Sequence, residues 1–151
     1  MKIHKFSIFC LFFVFIGTIN NEAQCIAFAR GVAKPKILPF VHDGNYNATF
    51  IEEGESAELY KTFFEGQTYR LVVAATETLP KNIRIRILNE QRKVMFDNAE
   101  HGYVYVWDFE AQTSETLIVH AKVPEGNPES PTIAGGCLAI MFGIKSDVKR
   151  K

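Results

Sequence analysis

Cysteine, histidine and acidic side chains are the first candidates for chemistry in this sequence. Cys137, His120 and Asp108 are the residue types of a thiol nucleophile with a general base and an orienting acid. Cys137, however, lies in the apolar run 137–142, where a cysteine is more often a small buried filler. No helix N-terminus is predicted nearby that would activate its thiol. We therefore predict a structural role for Cys137 and no catalytic residue.

The histidines do not stand at the spacing of metal ligands. His42, His101 and His120 form no His-x-His or His-x₃-His pair. The oxygen-rich segment 97–100 would suit a hard cation such as Ca²⁺, but Asx residues also begin turns through local hydrogen bonds, and we favour a turn. The sequence has no Gly-rich phosphate loop and no Gly-x-Ser-x-Gly elbow. We predict neither a metal nor a cofactor.

One segment carries a row of aromatic side chains. Tyr103, Tyr105, Trp107 and Phe109 alternate with smaller residues, so a strand would place all four rings on one face. Such a row can form a stacking platform for a sugar or an extended peptide. Aromatic rings also dominate hydrophobic cores, and we favour the core for these four.

Two arginines on another predicted strand offer a second binding feature. Arg84 and Arg86 alternate with isoleucines, and they could lie beside the tyrosines in a cation–π surface. The candidate partner-binding residues are therefore Tyr103, Tyr105, Trp107, Arg84 and Arg86.

The elements that would position these residues are strands. Apolar and polar residues alternate with a period of two in most windows, and no window shows a convincing period of 3.6. Segments 57–64 and 68–75 read as one hairpin, and segments 83–88 and 94–97 as another with a five-residue loop. Further strands are predicted at 103–109, 116–123 and 137–144. The pattern predicts an all-β fold, a single antiparallel β-sandwich of jelly-roll or Ig-like type with about seven to eight strands.

The N-terminus reads as a secretory signal peptide. Lys2 and Lys5 precede an apolar run at 6–17, which is shorter than the roughly 20 residues of a membrane-spanning helix. We predict cleavage between residues 23 and 29, so the mature chain keeps Cys137 alone or together with Cys25. Gln24 before Cys25 argues against lipidation, which needs a small residue there.

This cleavage divides the chain into four parts. They are the signal peptide 1–29, a lead with a possible edge strand at 30–55, the sandwich 56–145 and a basic tail 146–151. We expect an exported protein, periplasmic or secreted, without a transmembrane segment after cleavage.

Net charge excludes one class of partner. Seventeen basic and seventeen acidic residues cancel, whereas a nucleic-acid-binding protein normally presents a basic surface. We therefore expect no nucleic-acid partner.

Four segments together resemble a group of small exported β-sandwich proteins of Gram-negative bacteria. They are 66–73, 83–94, 107–109 and 135–143, and the resemblance spans residues 56–144. The same segments are loosely similar to pre-peptidase C-terminal and GOLD-type modules, although Gln91 stands where such hairpins often have glycine. The resemblance implies a sandwich fold and an accessory or binding role.

Two functions remain open at this point. The first is an exported, non-enzymatic module that binds a protein or an envelope glycan. The alternative is a secreted hydrolase whose site is assembled from distant strands. Such a site would not show as a local sequence motif.

Overall fold

The computed structural model describes residues 21–126, 128–129 and 132–146. Within them one α-helix, α1 (Asn21–Phe28), is followed by a π-helical turn (Ala29–Ala33) and a 3₁₀ turn (Lys34–Ile37). A second 3₁₀ turn spans Asn98–His101. The strands are β1 (Val41–His42), β2 (Asn47–Glu52), β3 (Ser56–Phe63), β4 (Thr68–Ala75), β5 (Arg84–Leu88), β6 (Val94–Asp97), β7 (Val106–Glu110), β8 (Glu115–Lys122) and β9 (Gly135–Ile144).

The strands form two antiparallel sheets packed face to face. Sheet A has the order β1–β9–β4–β7, with β2 also paired to β9, and sheet B has the order β3–β8–β5–β6. The predicted all-β sandwich is therefore confirmed, and the nine strands include a two-residue β1. No helix among the described residues is long and apolar enough to cross a membrane.

The main core lies between the sheets and follows the period of two. In sheet B the buried residues include Ile85 and Ile87 of β5, and Val119 of β8, while Arg84 and Arg86 face outward. Sheet A contributes residues such as Leu71. Because each fully buried aliphatic side chain stabilises the fold by about 1.5–3 kcal/mol, these alternating positions hold the two layers together.

One predicted hairpin forms and the other does not. The β5–β6 hairpin is present, and Arg92 adopts a positive φ of 61° in its loop, where the sequence has no glycine. Strands β3 and β4, by contrast, belong to different sheets, so the predicted hairpin across Gly66 is wrong. Phe63 and Tyr69 point into the core from opposite sheets and meet edge to face, with ring centroids 4.8 Å apart. The chain therefore arches from one sheet to the other at this turn.

The N-terminal segment covers the outer face of sheet A. Ala29, Ala33 and Ile37 pack on sheet residues that include Val72 and Met141 and form a second core. Contact is close here, since a Cβ on Gly143 would lie 2.5 Å from the Ile37 side chain.

Cys137 is not a core filler, which corrects the sequence-based prediction. It forms a disulfide with Cys25 of α1, 112 residues away in the sequence. The alternation along β9 directs Cys137 to the outer face of sheet A, away from Leu138 in the main core. The outer face of sheet A is covered by α1 at this point and is not open to solvent, so the Cys137 thiol lies next to Cys25.

The disulfide bears on the predicted leader, most of which lies outside the described residues. Cleavage after Ala29 would remove α1 and the disulfide together, whereas cleavage after Ala23 or Gln24 would remove only the first turn of α1 and keep the disulfide. Within the predicted 23–29 window, only a cut before Cys25 would therefore retain the disulfide.

We predict that Cys137→Ala lowers the free energy of unfolding by about 2–4 kcal/mol, the usual contribution of a native disulfide. Cys25→Ala should cost a similar amount, and the double variant no more than either single one, because both remove the same bond. Urea unfolding of the purified, disulfide-bonded protein measures this. Wild-type protein with reductant is the control, and an unchanged unfolding midpoint on reduction would contradict the prediction.

Candidate functional site

The sandwich is open along the flank where β6 and β7 lie side by side. Within the described residues, β7 pairs only with β4 and β6 only with β5, so each ends its sheet. Phe96 of β6 stacks on Trp107 of β7, with ring centroids 4.1 Å apart and an angle of 11° between planes. This contact joins the two sheets at the flank.

The stack continues in both directions. His101 stacks on the far side of Phe96 at 5.1 Å, and Phe109 lies 4.6 Å from Trp107. Phe109 then contacts the buried Tyr69 at 5.8 Å. Offset aromatic pairs of this kind contribute about 0.5–1.5 kcal/mol beyond their buried area. The row therefore leads from an exposed histidine into the main core.

Beside this row a crevice of about 240 Å³ opens between the sheets. We call it the flank crevice. Its apolar wall is formed by core and flank residues, and its mouth by Met95 and the turn after β7. The lining residues are Phe63, Ile87, Met95, Trp107, Phe109, Glu110, Ala111, Gln112, Thr113, Glu115 and Leu117.

Glu115 gives the crevice a charged wall. It lies opposite Phe63 in the β3–β8 register and on the inward side of β8, and it is half-buried. Its Oε1 accepts a hydrogen bond of 2.8 Å from the Thr113 hydroxyl. Aromatic faces and one carboxylate together fit a cation on an apolar stem, such as a lysine or arginine side chain.

More carboxylates surround this end of the sandwich. Glu110 lines the crevice, Glu65 follows β3 beside Ser114, and Glu90 lies near Glu115. The ion pairs found among the described residues use other acids, namely Asp43, Asp97, Asp108 and Glu58. The mouth of the crevice therefore carries unpaired negative charge.

The predicted aromatic row is only partly continuous. Trp107 and Tyr105 are half-buried and pack against the main core, as does Phe109. The Tyr105 hydroxyl donates to the backbone oxygen of Lys81, and burial raises the pKa of this hydroxyl. Tyr103 lies outside the strand, because β7 begins at Val106 and Tyr103 occupies a turn with a φ of +58°. Three of the four rings thus face the core, and Tyr103 is 37% exposed.

Arg84 lies apart from the crevice, on the outer face of sheet B. Its guanidinium donates to both oxygens of Asp97, whose pKa is lowered mainly by these bonds. Asp97 Oδ1 also accepts from the backbone N–H of Ala99, so it caps the turn that follows and the turn interpretation of 97–100 is confirmed. The cation–π contacts of the described residues involve neither Arg84 nor Arg86.

Arg86 takes part in a row of charged residues across sheet B. Register places Glu58, His120, Arg86 and Asp97 side by side on four strands. Arg86 Nη2 lies 3.4 Å from His120 Nδ1, and Arg92 binds Glu58 through two bonds of 2.8 and 3.0 Å. Burial has the largest effect on the pKa of His120 and lowers it, and the positive charge of Arg86 lowers this pKa further.

The thiol arrangement considered for catalysis is not assembled. Cys137 is in the disulfide on the outer face of sheet A, whereas His120 lies on the outer face of sheet B. Asp108 is bound to Arg70 through two bonds of 2.7 Å. Within the described parts of the chain, no group of three or more histidine, cysteine or acidic side chains could hold a metal ion.

Sequence reasoning missed Phe96, Met95 and Glu115. A signal for Glu115 exists, because it is in phase with the apolar positions 117, 119 and 121 of the same strand and must therefore face inward. Met95 has no such signal, since the β5–β6 register shifts beside it.

Comparison with known proteins gives little more. No family model and no curated protein matches the chain. The chain is similar to the solved structure of PliG from Aeromonas hydrophila, a periplasmic lysozyme inhibitor of g-type lysozyme. The TM-score is 0.48 and the identity 8%, over 71% of this chain and 89% of that one.

We predict that Trp107→Ala lowers the free energy of unfolding by about 3 kcal/mol, near the lower end for a core tryptophan because the ring is half-buried. Native Trp107 fluorescence should be blue-shifted relative to the unfolded chain. Tyr103→Ala is the control, and it should change stability by no more than about 0.5 kcal/mol. A native emission maximum equal to that of the unfolded chain would contradict the packing described above.

We also predict a loss of stability in acid that depends on His120. The unfolded chain binds a proton near the usual histidine pKa of about 6.5, whereas the folded state binds it only at lower pH. The stability from neutral His120 is therefore fully present above pH 6.5 and is lost as the pH falls from there towards the lower native pKa. His120→Gln, which keeps an acceptor for Arg86, should flatten this slope in urea unfolding. An equal slope in wild type and variant would assign the effect to another group.

Proposed function

We propose that this chain is an exported, non-enzymatic binding module that captures a protein partner through the flank crevice. The observation that carries the proposal is the combination of aromatic walls, the half-buried Glu115 and an open mouth. The partner would insert a lysine or arginine side chain, with its apolar stem against Trp107 and Phe109 and its charge at Glu115.

The size of the crevice supports a single anchoring side chain. Sites for whole small molecules measure about 300–1,000 Å³, whereas the flank crevice measures about 240 Å³. Protein interfaces commonly place one arginine or aromatic anchor in such a pocket. The proposal therefore concerns a protein rather than an envelope glycan.

The surface around the crevice also suits a protein. Met95 at the mouth is 56% exposed, and Val94 of β6 and Val106 of β7 are exposed by 46% and 41% on the same two strands. The free edges of β6 and β7 offer backbone N–H and C=O groups that an extended partner segment can pair with. Apolar contacts would then surround the inserted side chain and exclude water from it, as around a buried anchor of a protein interface.

Export is supported by the cysteines as well as by the leader. Disulfides persist in the periplasm and outside the cell and are rare in the cytosol. The Cys25–Cys137 bond therefore agrees with a periplasmic or secreted location.

The hydrolase alternative has one observation in its favour. Glu58, His120 and Arg86 come from three strands that are distant in sequence and lie side by side in sheet B. Arg86, however, is directed at Nδ1 of His120, and the row lies on an outward sheet face rather than in a cavity. We therefore place binding before catalysis.

We predict that a photoreactive amino acid in place of Thr113, at the mouth of the crevice, cross-links the exported protein to a partner protein in the producing cell. Gln112→Lys should weaken this cross-link about tenfold or more, because the new cation would occupy Glu115 in place of the partner's. Asn82→Lys is the matched control: it adds the same charge to an exposed amide position away from the crevice, and it should leave the yield unchanged.

Three outcomes would contradict the proposal. A label that appears on a polysaccharide assigns the crevice to a glycan. A yield that Gln112→Lys does not lower excludes the cation pocket. Turnover of an envelope substrate by the purified protein, abolished in His120→Gln, would favour the hydrolase.

A further inference from the structure

A second concave site lies on the outer face of sheet A, away from the flank crevice. The N-terminal segment and β1 enclose a pocket of about 340 Å³ on the outer face of sheet A. We call it the N-terminal pocket. It is lined by Arg30, Lys34, Pro35, Ile37, Leu38, Phe40 and His42.

We propose that the N-terminal pocket binds a small amphiphilic carboxylate, an anion that carries a short apolar chain. This site is separate from the proposed protein-binding crevice and does not depend on it. Its volume falls within the about 300–1,000 Å³ typical of small-molecule sites.

The positive charge of the pocket has no counterion among the described residues. Arg30 and Lys34 enter none of the ion pairs found there. Between residues 21 and 42 the sequence has three cations, at 30, 34 and 36, and one acid, Glu22. An anion entering the pocket would therefore meet uncompensated charge.

The cations are held in place by an aromatic ring. The Arg30 guanidinium carbon lies 5.0 Å from the centroid of Tyr46, and Lys34 Nζ lies 5.6 Å from it. Tyr46 also contacts His42, with ring centroids 4.7 Å apart. A cation–π contact orients a cation without neutralising it, so both side chains stay available to a ligand.

Charges next to the pocket are already paired. Asp43, the acid beside His42, binds Lys61 at 2.6 Å. Arg70 lies over Phe40 at 4.6 Å and is bound to Asp108 through two bonds. These pairs neither cancel the charge of Arg30 and Lys34 nor add to it.

The apolar part of the lining would accept the chain of the ligand. Ile37 is buried and forms the floor with the half-buried Phe40, while Leu38 is 71% exposed. A ligand tail over Leu38 and Phe40 would remove apolar surface from water, which favours binding. An inorganic anion gains nothing from this surface, and a neutral amphiphile gains nothing from the cations.

Isothermal titration of the exported protein with octanoate tests the proposal, with octanamide and inorganic phosphate as comparison probes. We expect saturable octanoate binding at one site, with each comparison probe at least about tenfold weaker. Lys34→Gln and Arg30→Gln should each weaken octanoate binding about five- to tenfold, as expected for one charge at contact distance. Lys36→Gln is the matched control. It removes the same charge two residues after Lys34, but the Lys36 side chain does not line the pocket, so octanoate affinity should change little.

Several results would overturn the proposal. Octanamide binding as tightly as octanoate would show that the negative charge of the ligand is not recognised. Phosphate binding as tightly as octanoate would show that the apolar chain is not recognised. An equal loss in Lys36→Gln and Lys34→Gln would indicate a diffuse basic surface instead of a pocket. Binding to phosphatidylglycerol vesicles without binding to monomeric octanoate would assign the basic segment to a membrane surface. Unfolding midpoints of all three variants should match the wild type, so that a loss of binding is not a loss of fold.

Discussion

Burial of β9 on both of its faces is the constraint on which the rest of the structure depends. Its inner side chains enter the main core beside β4, and its outer side chains meet the N-terminal segment in the second core. A strand buried twice must be apolar at nearly every position, and β9 is, from Cys137 to Ile144. It also must be covered, and the Cys25–Cys137 bond fixes the cover in place. The N-terminal pocket exists only because this cover remains attached.

The period of two made most of the fold predictable, because it reports which face of a strand is buried. It does not report which strand is the neighbour. Strands β3 and β4 are adjacent in sequence, yet their partners β8 and β9 lie far along the chain, so the arch at Gly66 read as a hairpin. The covering segment was missed for another reason. Cys25, Ala29, Ala33 and Ile37 repeat every four residues and are all buried, but Ala29 also fits a cleavage site.

The candidate site, too, is predictable from the sequence only in part. The aromatic alternation placed Trp107 and Phe109 on one face, and that part follows from the sequence alone. The crevice does not, because it is a gap between two sheets whose edges are set by long-range pairing. The sequence analysis allowed Arg84 and Arg86 to lie beside the tyrosines, whereas in the structure both lie on the outward face of sheet B. Two residues that meet across different sheets have no characteristic separation in the sequence, so no sequence pattern predicts their contact.

A net charge of zero conceals a separation of charge that both proposed sites use. Among the described residues, glutamates without an ion pair surround the flank crevice, while Arg30 and Lys34, which also have none, line the N-terminal pocket on the other side of sheet A. Charges in concave, partly desolvated sites act more strongly than the same charges on an open surface. The outer face of sheet B illustrates the contrast, because its arginines are largely matched by Asp97 and Glu58. The paired charges contribute to the sheet, whereas both proposed sites rest on charges that have no partner among the described residues.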